Sequence, residues 1–216
     1  MPLPQTPVEW LQAAFMIGLF GLIFVVGPWY YVRNRRRMRE AARNAGFQLG
    51  FTKIDFDGGD WEAEEAYQGE LEGMVVTIVV GSKVAEMAGA AAPISAVVLE
   101  ACPREPAAFE YSLHRVGGVY ETVIGHPQDA EFSAKCCLES PDPARAAALF
   151  EDAGLRASVT QVLQDGQGSA SIDQNGARFI VFDAASQGPS GVMTRARELA
   201  VIARYLSDRA RQLSGK

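Results

Sequence analysis

The chain has few of the side chains that usually bind metals or form disulfides: 2 histidines and 3 cysteines among 216 residues. An odd number of cysteines does not suit a fully paired disulfide framework, and no C-x-x-C spacing indicates a zinc site. We therefore interpret the adjacent Cys136 and Cys137 as two small buried hydrophobic residues. The sequence predicts no metal ligand and no bound cofactor.

Catalytic signatures are lacking as well. The glycine pairs at 58–59 and 117–118 do not belong to a phosphate-binding loop, because no Lys-Ser or Lys-Thr follows them. His126 lies near Asp129 and Cys136 in sequence, but none of the local signatures of a Cys–His nucleophile is present, and His114 lies in a strand-like segment. We predict no catalytic residues and a protein that is not an enzyme.

The chain has no excess of positive charge, because its net charge at pH 7 is −6. Residues 1–43 contain 6 of the 20 basic and 2 of the 26 acidic residues, which leaves 14 basic and 24 acidic residues in the remainder. Residues 44–216 are thus strongly acidic, and we expect no nucleic-acid partner.

Residues 10–32 contain no charged residue and are dense in large apolar side chains. As a helix this segment would measure about 34 Å, enough to cross a hydrocarbon core of about 30 Å. Aromatic residues mark both ends, with Trp10 at one end and Trp29, Tyr30 and Tyr31 at the other. The sequence predicts a single transmembrane helix over 10–32, preceded by a short extracytoplasmic tail at 1–9.

The basic residues nearest this segment all follow it, in a group that we call the arginine collar: Arg33, Arg35, Arg36, Arg37, Arg39 and Arg43. The positive-inside rule places the N-terminus outside and the domain that follows in the cytoplasm. A cleaved signal peptide is not expected, because no basic segment precedes the apolar run and no Ala-x-Ala site follows it. The arginine collar either determines the membrane topology alone or also binds anionic lipid headgroups. The sequence predicts that the collar lies on a juxtamembrane helix, residues 33–46.

Three small residues in the apolar segment, Ala14, Gly18 and Gly21, are three and four positions apart and share one helix face. Small residues let another membrane helix approach closely, so they form a candidate helix-packing face. The alternative is the ordinary enrichment of Gly and Ala in membrane helices.

Residues 55–72 contain eight acidic residues and no basic one. Asp55, Asp57 and Asp60 resemble the start of a calcium loop, but position 12 of that loop is Ala66 instead of Glu. We expect a solvated acidic loop in preference to a weak site for a divalent cation.

The predicted fold class of residues 47–216 is α+β, a cytoplasmic domain with a mostly antiparallel sheet and a long C-terminal helix. Tight turns at Glu72-Gly73, Asp165-Gly166 and Asn175-Gly176 require antiparallel neighbours. The predicted strands are 66–71, 74–81, 94–101, 109–116, 119–124, 132–140, 158–163, 169–172 and 177–182. Residues 81–93 are a connection that could contact a partner, and residues 144–153 form a short helix.

Residues 191–213 carry apolar residues at alternating steps of four and three, which is typical of an amphipathic helix. Three of these seven positions, Ala196, Ala203 and Ala210, are alanine, so packing across the sheet is favoured over a coiled coil.

The leading hypothesis for function is a non-catalytic, single-pass accessory or structural subunit of a larger membrane complex. Its partners would be other transmembrane subunits, and membrane lipids at the collar. The alternative is a stand-alone membrane-tethered domain that binds or senses a ligand, cation or peptide. An enzyme that uses Asp or Glu residues is a third hypothesis.

Overall fold

The computed structural model of the protein describes residues 6–57, 61–87, 90–107, 109–115, 130–164, 168–182 and 184–215. Contacts divide the chain into two units, Met1–Arg37 and Met38–Lys216. The predicted strand at 119–124, the Asp165-Gly166 turn, His126 and Asp129 lie outside the described residues.

The chain begins with a long helix made of α1 (Pro7–Gly21), one wide π-helical turn (Leu22–Val26) and α2 (Gly27–Gln48). The wide turn precedes Pro28, which has no N–H and whose ring would clash with the carbonyl four residues earlier in a regular helix. Within the described part of the chain, one helix is long and apolar enough to cross a membrane, and none of its most apolar window is buried. The predicted apolar helix is therefore present, and the juxtamembrane helix continues it without a break.

Among the described residues, eight strands form one sheet in the order β1-β2-β3-β4-β8-β7-β5-β6, and neighbouring strands pair antiparallel. The antiparallel α+β architecture is confirmed. The strands are β1 (Thr52–Ile54), β2 (Glu62–Leu71), β3 (Met74–Met87), β4 (Ala90–Cys102), β5 (Ser112–Arg115), β6 (Cys136–Glu139), β7 (Gly168–Asp173) and β8 (Gly176–Val181).

The remaining helices are α3 (Ala130–Lys135), α4 (Pro143–Leu149), α5 (Ala153–Leu163) and α6 (Ala184–Leu213). The long C-terminal helix α6 is kinked at Gly188 and packs against β3, β4 and β8. Its predicted apolar positions, among them Val192, Leu199 and Leu206, are buried. The expectation that this helix packs across the sheet is confirmed.

The two faces of the sheet are covered differently. In the main core, side chains from one face of the sheet, including Ile78, Leu99 and Phe179, pack against buried side chains of α2, α4, α5 and α6. A smaller cluster on the other face contains Trp61, Val79 and strand or loop neighbours, and no residue in it comes from a described helix. We call this second surface the helix-free face.

The strand predicted at 158–163 is wrong, because these residues belong to α5. The side chain of Asp152 caps this helix by accepting a hydrogen bond from the N–H of Leu155 at 2.7 Å. Leu155, Val159 and Val162 are buried at helical spacing. Burial at this spacing outweighs the strand preference of the β-branched residues.

Two further boundaries differ from the prediction. Residues 132–135 belong to helix α3, so the predicted strand at 132–140 is reduced to β6. In the hairpin between β7 and β8, Asp173 pairs with Gly176, so Gln174 and Asn175 are the two turn residues. The observed turn is thus one residue earlier than the expected Asn175-Gly176 turn. By contrast, Glu72 and Gly73 form the expected turn of the β2–β3 hairpin, both with positive φ, at 53° and 76°.

The connection predicted at 81–93 is largely paired strand. Strands β3 and β4 pair with each other from the pair Lys83–Ile94 to the pair Met87–Ala90. This part of the hairpin extends past the sheet, because β2 pairs with β3 only as far as Ser82 and β8 pairs with β4 only from Val97. We call residues 83–87 and 90–94 the β-arm. Because its strands pair only with each other among the described residues, both of its outer edges carry open backbone groups.

The last part of α2 packs on β2 through small side chains. Ala41, Ala42, Ala45 and Gly46 are buried, and a Cβ added at Gly46 would lie 2.9 Å from Cγ of Tyr67. Glycine at position 46 therefore sets the close approach of helix to sheet.

Gly46→Ala should lower the free energy of unfolding by about 1–3 kcal/mol, because the added methyl group overlaps the Tyr67 ring. Gly154→Ala is the matched control. Gly154 is an exposed helical glycine whose added Cβ would lie 3.2 Å from Oδ1 of the exposed Asp152 side chain, which can move, so its effect should stay within about 1 kcal/mol of zero. Denaturant unfolding of the full chain in detergent micelles measures both variants. Equal stability of Gly46→Ala and the wild type would contradict the close approach.

Candidate functional site

The predicted helix-packing face lies on α1 and is open in the structure. Ala14 and Gly18 are exposed and Gly21 is half-buried. A Cβ added at Gly18 or at Gly21 would meet no atom within 4 Å. These residues therefore leave room for a neighbouring helix, and their role in packing remains a prediction.

The large apolar side chains around this face are exposed too. Phe15 is 67% exposed, Ile17 72% and Val25 67%. A contiguous apolar surface of this kind is unfavourable in water and is typical of a segment covered by lipid or by another protein.

The arginine collar divides into two groups. Arg33, Arg35, Arg36 and Arg37 belong to the first unit, and the guanidinium of Arg33 lies 5.0 Å from the centre of the Trp29 ring. We call these four residues the proximal arginines. The proposed contact of the collar with lipid headgroups remains a prediction.

The other two arginines, Arg39 and Arg43, form ion pairs with Glu64 and Glu65 on β2. The separation between Arg43 Nη2 and Glu65 Oε1 is 2.5 Å. Strand β2 contains the predicted strand 66–71 and also residues 62–65, which were expected to belong to a solvated acidic loop. The carboxylates of Glu64 and Glu65 are partners of α2. The sequence prediction was wrong here because it treated the acidic and basic segments separately.

Tyr67 completes this cluster by donating a hydrogen bond to Oε2 of Glu65 at 2.8 Å. Burial raises the pKa of Glu65, but the hydrogen bonds from Arg43 and Tyr67 outweigh burial and lower the pKa below its ordinary value. The hydrogen bond to Glu65 raises the pKa of Arg43. The cluster therefore favours a charged pair that holds the end of α2 on the sheet.

A row of polar side chains crosses the helix-free face, and each member is the direct partner of the next on the neighbouring strand. We call it the polar row. It consists of Thr52, Gln68, Thr77, Glu100, Arg178, Ser171, His114 and Cys137.

Some members of the polar row interact with each other. Nε2 of Gln68 donates a hydrogen bond to Oγ1 of Thr77 at 3.1 Å. Nε of Arg178 lies 3.2 Å from Oε1 of Glu100 in an ion pair. The row therefore balances opposite charges near its centre.

The end of the polar row brings together three potential metal ligands. His114 on β5 pairs directly with Cys137 on β6, and Glu139 lies two residues further along β6 on the same face. The ligand atoms of these three side chains all lie within 4.8 Å of one another. We call this group the HCE cluster.

The two adjacent cysteines lie on opposite faces of β6. Cys136 belongs to the main core, with Sγ 3.7 Å from Oγ1 of Thr160. Cys137 lies on the other face with His114, and burial together with the charge of Glu139 raises the pKa of its thiol. Both are buried, as the sequence analysis expected.

The HCE cluster was missed from the sequence because His114 and Cys137 are distant along the chain. The alternation of a strand indicates that Cys137 and Glu139 share a face. Only the register between β5 and β6 places His114 beside them.

A pocket of about 460 Å³ borders the cluster and includes Glu139 in its wall. We call it the acidic pocket, because its described lining contains three carboxylates and no basic residue. Its lining residues are Glu110, Tyr111, Ser112, Glu139, Ser140, Pro141, Asp173 and Gln174. The pocket is suited to a cation.

No protein-family model, curated protein or solved structure matches the chain. Its fold and side-chain geometry are therefore the basis for assigning a function.

The lowered pKa of Glu65 predicts a pH-dependent contribution to stability. Because the folded state favours the carboxylate, the contribution is complete above the ordinary pKa of 4.5 and is lost as the pH falls through the lower folded-state pKa. Glu65→Gln should cost about 1 kcal/mol of unfolding free energy at neutral pH and much less at strongly acidic pH.

Denaturant unfolding of the full chain between neutral and acidic pH measures this difference. Glu105→Gln removes an exposed carboxylate as the matched control and should stay within about 0.5 kcal/mol of the wild type throughout. A cost for Glu65→Gln that does not change with pH would contradict the charged cluster.

Proposed function

We propose that the protein is a single-pass accessory subunit of a larger membrane complex, with its N-terminus outside and its α+β domain in the cytoplasm. The observation that carries this proposal is the exposed apolar helix with an open face at Ala14, Gly18 and Gly21. The helix docks to other transmembrane subunits through this face, and the domain braces the assembly.

Open small residues favour docking over simple anchoring. Within lipid, close packing and interhelical contacts drive helices together, and small residues increase this packing by letting backbones approach. A helix that only anchors a domain needs no such face. The small side chains at Ala14, Gly18 and Gly21 therefore support an interaction with a second helix.

The proximal arginines support the proposed orientation. They follow directly after Trp29, Tyr30 and Tyr31, which suit a membrane–water interface. Even with Arg39 and Arg43 paired to β2, Arg33, Arg35, Arg36 and Arg37 make the C-terminal side of the segment basic. Attraction to anionic lipids contributes about 1 kcal/mol for each arginine near the surface.

The β-arm supports a bracing role for the domain. Strand edges with open backbone groups accept an added strand from a partner, and a two-stranded ribbon is only marginally stable alone. Val84 on the arm is 74% exposed. The arm thus offers the cytoplasmic parts of a complex a second contact.

A second candidate function is a membrane-tethered domain that binds a small ligand or cation. The acidic pocket favours it, because Glu110, Glu139 and Asp173 line a cavity without basic residues.

Gly18→Ile should reduce the recovery of co-purifying transmembrane subunits at least about tenfold, because the larger side chain fills the open face. Met16→Ile is the matched control: it lies about 200° around the helix from Gly18 and should leave recovery unchanged. Affinity purification from native membranes in mild detergent, with quantification of the subunits, measures both. A free wild-type monomer, or equal recovery with Gly18→Ile, would overturn the proposal.

The orientation predicts that protease digests the α+β domain in inside-out membrane vesicles and spares it in right-side-out vesicles. A cytoplasmic protein and an extracytoplasmic protein of known location provide the controls for vesicle orientation. Protection of the domain in inside-out vesicles would reverse the proposed topology.

A further inference from the structure

We infer that His114, Cys137 and Glu139 bind a thiophilic divalent transition metal of the zinc class. This inference is independent of the proposed role in a membrane complex, because it depends only on the sheet of the second unit and its acidic pocket.

The backbone already places the three ligands. His114 and Cys137 are directly paired across β5 and β6, and Glu139 follows on the same face of β6. Their ligand atoms lie within 4.8 Å of one another. Around a tetrahedral zinc ion such atoms are about 3.5 Å apart, so the side chains need to close by about an ångström. Rotation about side-chain bonds supplies this movement without a change of register.

The ligand types select the metal. A thiolate and an imidazole are typical ligands of Zn²⁺, whereas Ca²⁺ and Mg²⁺ prefer oxygen ligands alone. On binding, the thiol of Cys137 releases its proton to solvent and the sulfur coordinates the metal as a thiolate. Together the three side chains provide one nitrogen, one sulfur and one oxygen ligand.

The acidic pocket provides an independent argument for a cation. Glu110 and Asp173 line it together with Glu139, and no basic residue occurs among its described lining residues. Their charge attracts a divalent ion, and the open cavity of about 460 Å³ gives it a path to Glu139. Three protein ligands also leave one tetrahedral position for water or for a small ligand that enters from the pocket.

Co²⁺ is the probe, because a cobalt–thiolate bond produces a charge-transfer band in the near ultraviolet and tetrahedral Co²⁺ absorbs strongly in the visible. The full chain in detergent micelles, treated with a chelator and a reductant, is titrated with Co²⁺. We expect both bands to saturate at one equivalent and to disappear when Zn²⁺ is added. Absence of the charge-transfer band in the wild-type protein would overturn the inference.

Variants test the assignment of the ligands. Cys137→Ser should abolish the charge-transfer band, and Glu139→Gln should weaken Co²⁺ binding by about 100-fold or more, since loss of an outer-sphere partner alone costs 10–100-fold. Cys136→Ala is the matched control, because Cys136 is the neighbouring buried cysteine on the opposite face. It should retain both bands.

Thermal unfolding provides a second readout that does not depend on colour. Zn²⁺ should raise the Tm of the wild type and of Cys136→Ala, because a ligand that binds only the folded state stabilises it. It should not raise the Tm of Glu139→Gln at the same concentration. The inference fails if the charge-transfer band persists in Cys137→Ser, or if Cys136→Ala loses it while folded. It fails as well if Zn²⁺ stabilises Glu139→Gln and the wild type equally.

Discussion

The contact between the end of α2 and strand β2 holds that end of the helix against the sheet. Alanines and Gly46 bring the helix close to Tyr67, and Arg39 and Arg43 pair with Glu64 and Glu65 beside it. Close packing requires small residues at the interface, and the ion pairs require carboxylates on the facing strand. Met38, Ala41, Ala42, Ala45 and Gly46 of α2 are buried in the α+β unit.

Among the described residues, helices pack against one face of the sheet, and the candidate sites lie on the other face. Helices bury the apolar residues of the main face, so the helix-free face retains polar residues such as Glu100 and Arg178 in a continuous row. At the β5–β6 end this row includes His114 and Cys137 beside the acidic pocket. Chemistry-bearing side chains therefore collect on the face that no described helix covers.

Local patterns in the sequence predicted the apolar helix, the antiparallel sheet and the long C-terminal helix, because each depends on periodicity or on a tight turn. The strand predicted at 158–163 failed since burial along α5 outweighs β-propensity. The pairing of Arg43 with Glu65 and of His114 with Cys137 depends on contacts between distant segments. Such contacts follow from topology and register, which local patterns do not determine.

Alkaline carbonate extraction of membranes that contain the full-length protein tests the central claim most directly. A transmembrane helix over residues 10–32 keeps the chain in the membrane pellet at its full length, whereas peripheral proteins are released. The account predicts complete retention of the intact chain. Release of the chain into the supernatant, either intact or shortened at its N-terminus, would contradict it.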